Sequence, residues 1–207
     1  MPLYKAEAIN LRTINIGEAD KLVTLFSRQY GKIKAVAKGA RRTKSKFGGR
    51  LEVFTYNQLL LATGKQLDII SQCETIESFY RLREERSKLN TGAYFLRLID
   101  LTTEERQKNE GLFELLLGSL FLLIEGADPD RLARYFEVHL TRIEGIFPDI
   151  DKLHCSKEVK MAILDLKNGD LSAEMSPSAL KSIENMFKRW ISEHAGRDIS
   201  RLNVEVI

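Results

Sequence analysis

The sequence predicts an α+β chain: a five-stranded β-barrel over residues 1–79, followed by an all-helical domain over residues 80–207. Before Phe79, apolar residues recur at every second position in short runs separated by glycines, the pattern of half-buried strands. After Phe79, they recur at three- and four-residue spacing, the pattern of helices packed on one face. Five short antiparallel strands in about eighty residues suit a small closed or partly closed barrel. A length of 207 residues is enough for two small domains, each with a core.

Residues 3–11 (LYKAEAINL) alternate and predict the first strand, and residues 13–20, with Gly17, form a connecting loop. Residues 22–27 and 32–38 alternate, with Tyr30-Gly31 as the turn between them. Residues 39–50 form a loop bracketed by glycines. Residues 52–63 (EVFTYNQLLLAT), rich in aromatic and β-branched side chains, predict the fourth strand. The turn Thr63-Gly64-Lys65 leads to a fifth, residues 66–76, with Leu67, Ile69, Ser71 and Cys73 on one side.

The helical half opens with residues 80–101, where Leu82, Leu89, Tyr94, Phe95, Leu98 and Ile99 stand among charges. Residues 112–124 are apolar nearly all round and predict a central buried helix. Asp128-Pro129 is a start signal, a capping carboxylate followed by a proline at the first helical position. The helix it starts carries Leu132, Tyr135, Phe136, His139, Leu140 and Ile143 on one face and ends at Gly145. Ser176-Pro177 repeats the signal before a last helix striped by Leu180, Ile183, Phe187, Trp190, Ile191 and His194. The terminal LNVEVI fits either a strand or a frayed end.

The opening MPLYKAEAIN lacks the cationic and apolar regions of a secretory signal, so none is expected. The longest apolar stretch, residues 112–124, is too short for a membrane span and is interrupted by Glu114. Cys73 and Cys155 do not make a disulfide framework. The expectation is a soluble cytoplasmic protein with no membrane association.

Charge distribution carries the functional reading. Residues 21–51 hold Lys21, Arg28, Lys32, Lys34, Lys38, Arg41, Arg42, Lys44, Lys46 and Arg50 without one acid, although the whole chain has a net charge of only +3. Clustered cations, hydroxyls and an aromatic suit a nucleic acid, with a phosphate backbone to grip and bases to stack. A solvated basic face without a partner is the alternative. The phosphate-binding candidates are Lys38, Arg41, Arg42, Lys44 and Lys46, flanked by Lys34 and Arg50. Tyr30 and Phe47 are candidates for base stacking, or for packing on the barrel. An oligonucleotide-binding (OB) barrel fits both the strand count and this charge.

No catalytic constellation accompanies it. Residues 39–45 (GARRTKS) lack the glycine that a nucleotide-phosphate loop places before its lysine. Glu18 and Asp20 read as a turn cap or partners of Lys21, with no nucleophile or metal cluster beside them. His139 and His194 read as satisfied core histidines, Cys73 as a small buried hydrophobe, and residues 81–88 as a solvated face. The chain is therefore expected not to be an enzyme. An RNA-binding accessory protein is the alternative function; a nuclease lacks its carboxylate cluster.

The run Ile16-Gly17-Glu18-Ala19-Asp20-Lys21-Leu22-Val23-Thr24-Leu25-Phe26-Ser27, then Tyr30-Gly31-Lys32, Val36-Ala37-Lys38-Gly39-Ala40-Arg41-Arg42 and Lys44-Ser45, resembles the amino-terminal signature of the bacterial RecO recombination-mediator family. Tyr135-Phe136-Glu137-Val138-His139-Leu140 and Gly145-Ile146-Phe147-Pro148 are similar to its helical segment. The resemblance implies an OB barrel plus a helical domain and a nucleoid-associated role in DNA repair and recombination. It also implies binding of single- and double-stranded DNA, annealing of complementary strands, and action with RecR to load RecA onto strands coated by single-stranded-DNA-binding protein. The acidic, apolar tail of that coating protein needs an apolar groove rimmed by cations. Arg131, Arg134 and Arg142 are candidates for it, against an ordinary charged helix face. Many family members carry a four-cysteine zinc motif. Here only His154-Cys155 stands near its first half, and residues 167–175 hold no cysteine, so neither zinc nor another cofactor is expected.

Overall fold

Strand β1 (Leu3–Ile16) holds the first half together because it pairs along its length with two neighbours. Its first part runs antiparallel to β4 (Tyr56–Ala62), from Leu3 opposite Ala62 to Ile9 opposite Tyr56. Its second part pairs with β2 (Asp20–Ser27), from Ala8 opposite Ser27 to Ile16 opposite Asp20, with a register shift between Asn10 and Arg12. Such a bulge bends a strand, which lets one segment serve both sides of a barrel. With β3 (Gly31–Ala37) and β5 (Asp68–Glu77), the sheet closes in the order β1-β2-β3-β5-β4. The α+β expectation of a five-stranded barrel followed by helices therefore holds. The computed structural model describes residues 2–199 and Leu202.

Several local expectations are corrected. Residues 13–16 belong to β1 rather than to a loop, since Ile14 and Ile16 continue the alternation opposite Leu22 and Asp20. The β3–β5 pairing, Ala35 with Asp68 and Val36 with Ile69, is parallel, not antiparallel. Strand β4 starts at Tyr56, because Asn10 holds residues 50–55 in a turn. The Asn10 amide donates to the carbonyls of Arg50 and Glu52 at 3.2 and 2.9 Å, and Phe54 takes φ 77°. In β5, a shift opposite Leu60 and Leu61 changes the parity: Ile70 and Cys73 face the core, Ile69 is half-buried and Leu67 exposed.

Small residues Ala6, Ala8, Ala35 and Ala37 line the barrel beside Val23, Leu25, Ile33, Leu59, Leu61 and Ile70. Phe47 and Leu51, from the segment between β3 and β4, fill the remaining space. Burying each such side chain contributes about 1.5–3 kcal/mol.

The residues group into two compact units, and the first adds Thr103–Phe113 to the barrel. That added segment is fastened along β3: the Arg106 amide donates to the Lys32 carbonyl at 2.9 Å. Gly31 sits at φ 67°, and a Cβ there would lie 1.9 Å from the Gln107 carbonyl oxygen, so only glycine admits this approach. Buried Asp68 accepts from the Tyr4 hydroxyl, the Arg106 guanidinium and, at 3.1 Å, the Gly64 amide. Burial alone would raise its carboxyl, but these bonds hold it below the usual range. Burial is also the main reason Tyr4 is pushed up to about 12. Phe113 packs edge-on to Tyr56 at 6.0 Å and under the Arg28 guanidinium at 4.7 Å.

The second unit holds α1 (Arg86–Thr102), most of α2 (Glu110–Glu125), α3 (Pro129–Ile143), α4 (Lys157–Lys167) and α5 (Pro177–Ala195). Helix α1 begins six residues later than expected, after a short 3-10 turn at Tyr80–Arg83. Helix α2 is not buried all round, since Leu115, Phe121, Leu122 and Ile124 are half-buried and Gly118 exposed. Asp128 caps α3 as the sequence predicts, accepting from the Arg131 amide at 2.9 Å with Pro129 next. Its buried face is wider than the apolar stripe: Arg134, Glu137 and Thr141 are inside, whereas Tyr135 and His139 are half-buried and Ile143 is exposed. The sequence reading passed over α4, whose start is capped by the Ser156 hydroxyl accepting from the Val159 amide. The Ser176-Pro177 start of α5 is as expected, but His194 lies at the surface, 3.4 Å from Glu144. Apart from Leu202, the terminal LNVEVI lies outside the described residues. Among the described residues, no helix is long and apolar enough to cross a membrane.

Candidate nucleic-acid interface

The loop from residue 38 to residue 50 is built so that its apolar residues point in and its cations out. Ala40, Phe47 and Leu51 are buried, while Lys38, Arg41, Arg42, Lys44, Lys46 and Arg50 are exposed. Its entry is fixed on the β1–β2 turn. The Gly39 amide, at φ 69°, donates to the Asp20 carboxylate at 2.8 Å, and the Arg41 amide to the Ala19 carbonyl at 2.8 Å. Asp20 is thus a loop cap, one of the roles read from the sequence. Further along, the Ser45 amide donates to the Arg42 carbonyl at 2.9 Å, and a 3-10 turn at Gly48–Leu51 returns the chain to the barrel.

The ten cations of residues 21–51 separate into two groups. Lys21 pairs with Glu52 at 2.8 Å, Arg28 with Glu7 at 3.0 Å, and Lys34 with Glu105, while Lys32 is buried. Lys34, expected at the flank of the interface, is exposed but spends its charge on Glu105. The six loop cations differ: among the described residues none makes an ion pair. Three of them reach backbone oxygens, and one of these also a ring. Arg41 donates to the Gly17 carbonyl at 3.1 Å, Lys46 to the Ser71 carbonyl at 2.6 Å, and Arg50 to the Lys46 carbonyl at 2.7 Å. The Lys46 ammonium also lies 5.2 Å from the centre of the Phe47 ring.

Of the two aromatic candidates, Phe47 is corrected. It is 1% exposed in the barrel core, so the packing reading holds and its ring is not presented for stacking. Tyr30 is 38% exposed and meets the Tyr4 ring edge-on at 4.9 Å.

Sequence reasoning missed a cleft of ≈ 630 Å³ bounded by β1, β4 and β5, with Arg50 of the basic loop on its wall and Lys5 beside it. No contiguous signal marked it, since its residues come from three strands brought together by the barrel's register. Burial pushes the Cys73 thiol at its floor up to about 11, against the pull of Arg50.

In the helical unit, Arg134 is corrected as a partner-binding candidate. It is 3% exposed and sits 3.1 Å from the Glu137 carboxylate and 3.8 Å from Glu184, so its charge is used internally. Arg131 and Arg142 reach the ends of neighbouring segments, donating to the carbonyls of Leu171 at 3.4 Å and Lys167 at 3.0 Å. Between them His139 meets the Leu166 carbonyl at 3.1 Å, and burial lowers its basicity. This bears the reading of a satisfied histidine.

A family profile described as recombination protein O N terminal matches residues 1–79, and one described as recombination protein O C terminal matches residues 83–160. The chain belongs to the RecO family. It is 42% identical over 156 residues to the DNA repair protein RecO of Pelotomaculum thermopropionicum, covering 75% of this chain and 60% of that protein. It is 38% identical over 149 residues to that of Halalkalibacterium halodurans, covering 72% and 59%. With Symbiobacterium thermophilum the figures are 39% over 151 residues, covering 72% and 60%. The match thus spans about 60% of the length of these relatives. The zinc motif implied by the RecO resemblance does not fit the residues present. Cys155 has only the adjacent His154, and no group of three His, Cys, Asp or Glu side chains suited to a metal forms among the described residues.

Proposed function

We propose that this chain acts in recombinational DNA repair, binding single- and double-stranded DNA through the loop of residues 38–50 and annealing complementary strands. With RecR it helps load RecA onto strands coated by single-stranded-DNA-binding protein. The observation that carries the reading is the set of six exposed cations on that loop, without an acid among them and without an ion pair among the described residues. Neutralised phosphates release counterions and lower the repulsion between two strands, so complementary bases can pair without a covalent step. The role is therefore non-catalytic. Arginine adds bidentate geometry at phosphates, which Arg41, Arg42 and Arg50 supply. Family membership and relatives named DNA repair protein RecO support the same assignment. In the helical unit, Arg131 and Arg142 flank half-buried Tyr135 and His139 and form the candidate rim for the acidic tail of the coating protein.

The test measures single-strand affinity against salt, and annealing of complementary oligonucleotides, for the wild type and Arg41→Ala/Arg42→Ala/Lys44→Ala. Five phosphate contacts give a log–log salt slope of about −3.5, and the triple variant flattens it by about 2 while slowing annealing. A flat wild-type dependence refutes the reading. Tighter binding to RNA than to DNA of matching sequence turns it into that of an RNA-binding accessory protein.

A further inference from the structure

We propose that the cleft bounded by β1, β4 and β5 is a base-receiving subsite, seating an unstacked nucleobase of a single strand whose phosphates lie on the neighbouring loop. The proposal rests on the DNA-binding reading above and deepens it. Three features of the cleft support it. Its volume of ≈ 630 Å³ is ample for one or two bases. Its apolar surface comes from half-buried Leu60, which points outward from β4 and can cover a base face, whereas a phosphate would gain nothing there. Two amides, Gln58 on β4 and Gln72 on β5, present both donors and acceptors at its sides, which suits base edges of any sequence.

Charge orients the strand. Register places Lys5 opposite Leu60, and Leu60 opposite Gln72, in one row across the three strands; the next row brings Gln58 opposite Glu74. Lys5 thus lines the cleft from β1, while Arg50, whose charge acts on the Cys73 thiol, and Glu74 line it from the β5 side. A sugar-phosphate backbone leaving Lys46 and Arg50 of the loop passes toward Lys5 and turns its bases toward Leu60. Phe47 is buried in the barrel core, so this cleft supplies the base contact that the loop lacks.

The test compares a thymidine oligonucleotide with an abasic strand of the same length and phosphate count, by fluorescence anisotropy at fixed salt. Wild type should bind the abasic strand at least about tenfold more weakly. A strand carrying photoreactive 4-thiothymidine should crosslink to the peptide containing Gln72 and Cys73. Leu60→Asp, which puts a carboxylate into the cleft, should bring the two affinities toward equality, since its repulsion of phosphates affects both strands alike. Equal wild-type affinities, or crosslinks only outside the cleft, overturn the subsite while leaving phosphate binding intact. Failure to bind either strand overturns the DNA-binding reading, and the subsite with it.

Discussion

Glu137 offers the sharpest test of the helical unit, because a carboxylate is enclosed there with too few compensating partners. It is 0% exposed on α3; Tyr94 from α1 donates its hydroxyl to it, Arg134 stands 3.1 Å away, and Lys188 and Glu184 approach from α5. Lys188 and Glu184 are themselves paired at 2.7 Å. Burial dominates over the attraction of Arg134, the Tyr94 bond and Lys188, and pushes the Glu137 carboxyl from an ordinary 4.5 up to about 7. Between these values the folded chain holds a proton that the unfolded chain has released. Stability is therefore greatest below the ordinary value and falls as pH rises toward about 7. The loss from pH 5.5 to pH 8 is roughly 2 kcal/mol from this one group. Glu137→Gln keeps an oxygen to accept from Tyr94 and removes the charge. Urea unfolding of both proteins at the two pH values should show the wild type losing roughly 2 kcal/mol more than the variant on going to pH 8. Titrations elsewhere are common to both and cancel in this difference. Equal pH dependence in the two proteins would refute the argument, because it would mean that Glu137 carries the same charge folded and unfolded.

Removing the guanidinium beside Asp68 tests the segment fastened to β3. Arg106→Ala leaves a buried carboxylate with the Tyr4 hydroxyl and the Gly64 amide alone, and thermal unfolding should show a loss of about 1–3 kcal/mol. Because the Asp68 carboxyl is held low, its stabilisation is present above its ordinary value and disappears in acid; the variant should show a weaker acid loss than wild type. Elemental analysis of the purified chain should find no stoichiometric zinc, and one zinc per chain would refute the reading of residues 154–175.

The parts of the fold legible in the sequence are those written in local patterns. Asp128-Pro129 and Ser176-Pro177 announce α3 and α5 because a helix start needs a side-chain acceptor and tolerates a missing amide at its first position. Strand alternation found the barrel. What misled it were features that only tertiary contact decides. The bulge in β5 reverses which residues face inward after Leu67 and Ile69 have suggested the opposite side. Arg134 and Glu137 look like an exposed charged face because their spacing is that of any surface ion pair; only α1 and α5 closing over α3 turn them into core.

The basic loop shows why charge count alone sorts these cations poorly. All ten cations of residues 21–51 lie in an acid-free stretch, yet the acids that neutralise three of them come from Glu7, Glu52 and Glu105, all outside it. Lys32 is buried, and the six left over are those between buried Ala40 and buried Leu51, with Lys38 just before them. Anchoring explains the difference. A strand cation lies beside the neighbouring strand or the segment fastened along it, where an acid is within reach. A loop pinned at Ala40, Phe47 and Leu51 holds its intervening side chains out over solvent, where among the described residues none of them pairs with an acid. The same aromatic that the sequence offers as a base-stacking group is thus what keeps the cations presented, and its place at the interface is structural: Phe47 fills the barrel so that Lys46 and Arg50 need not.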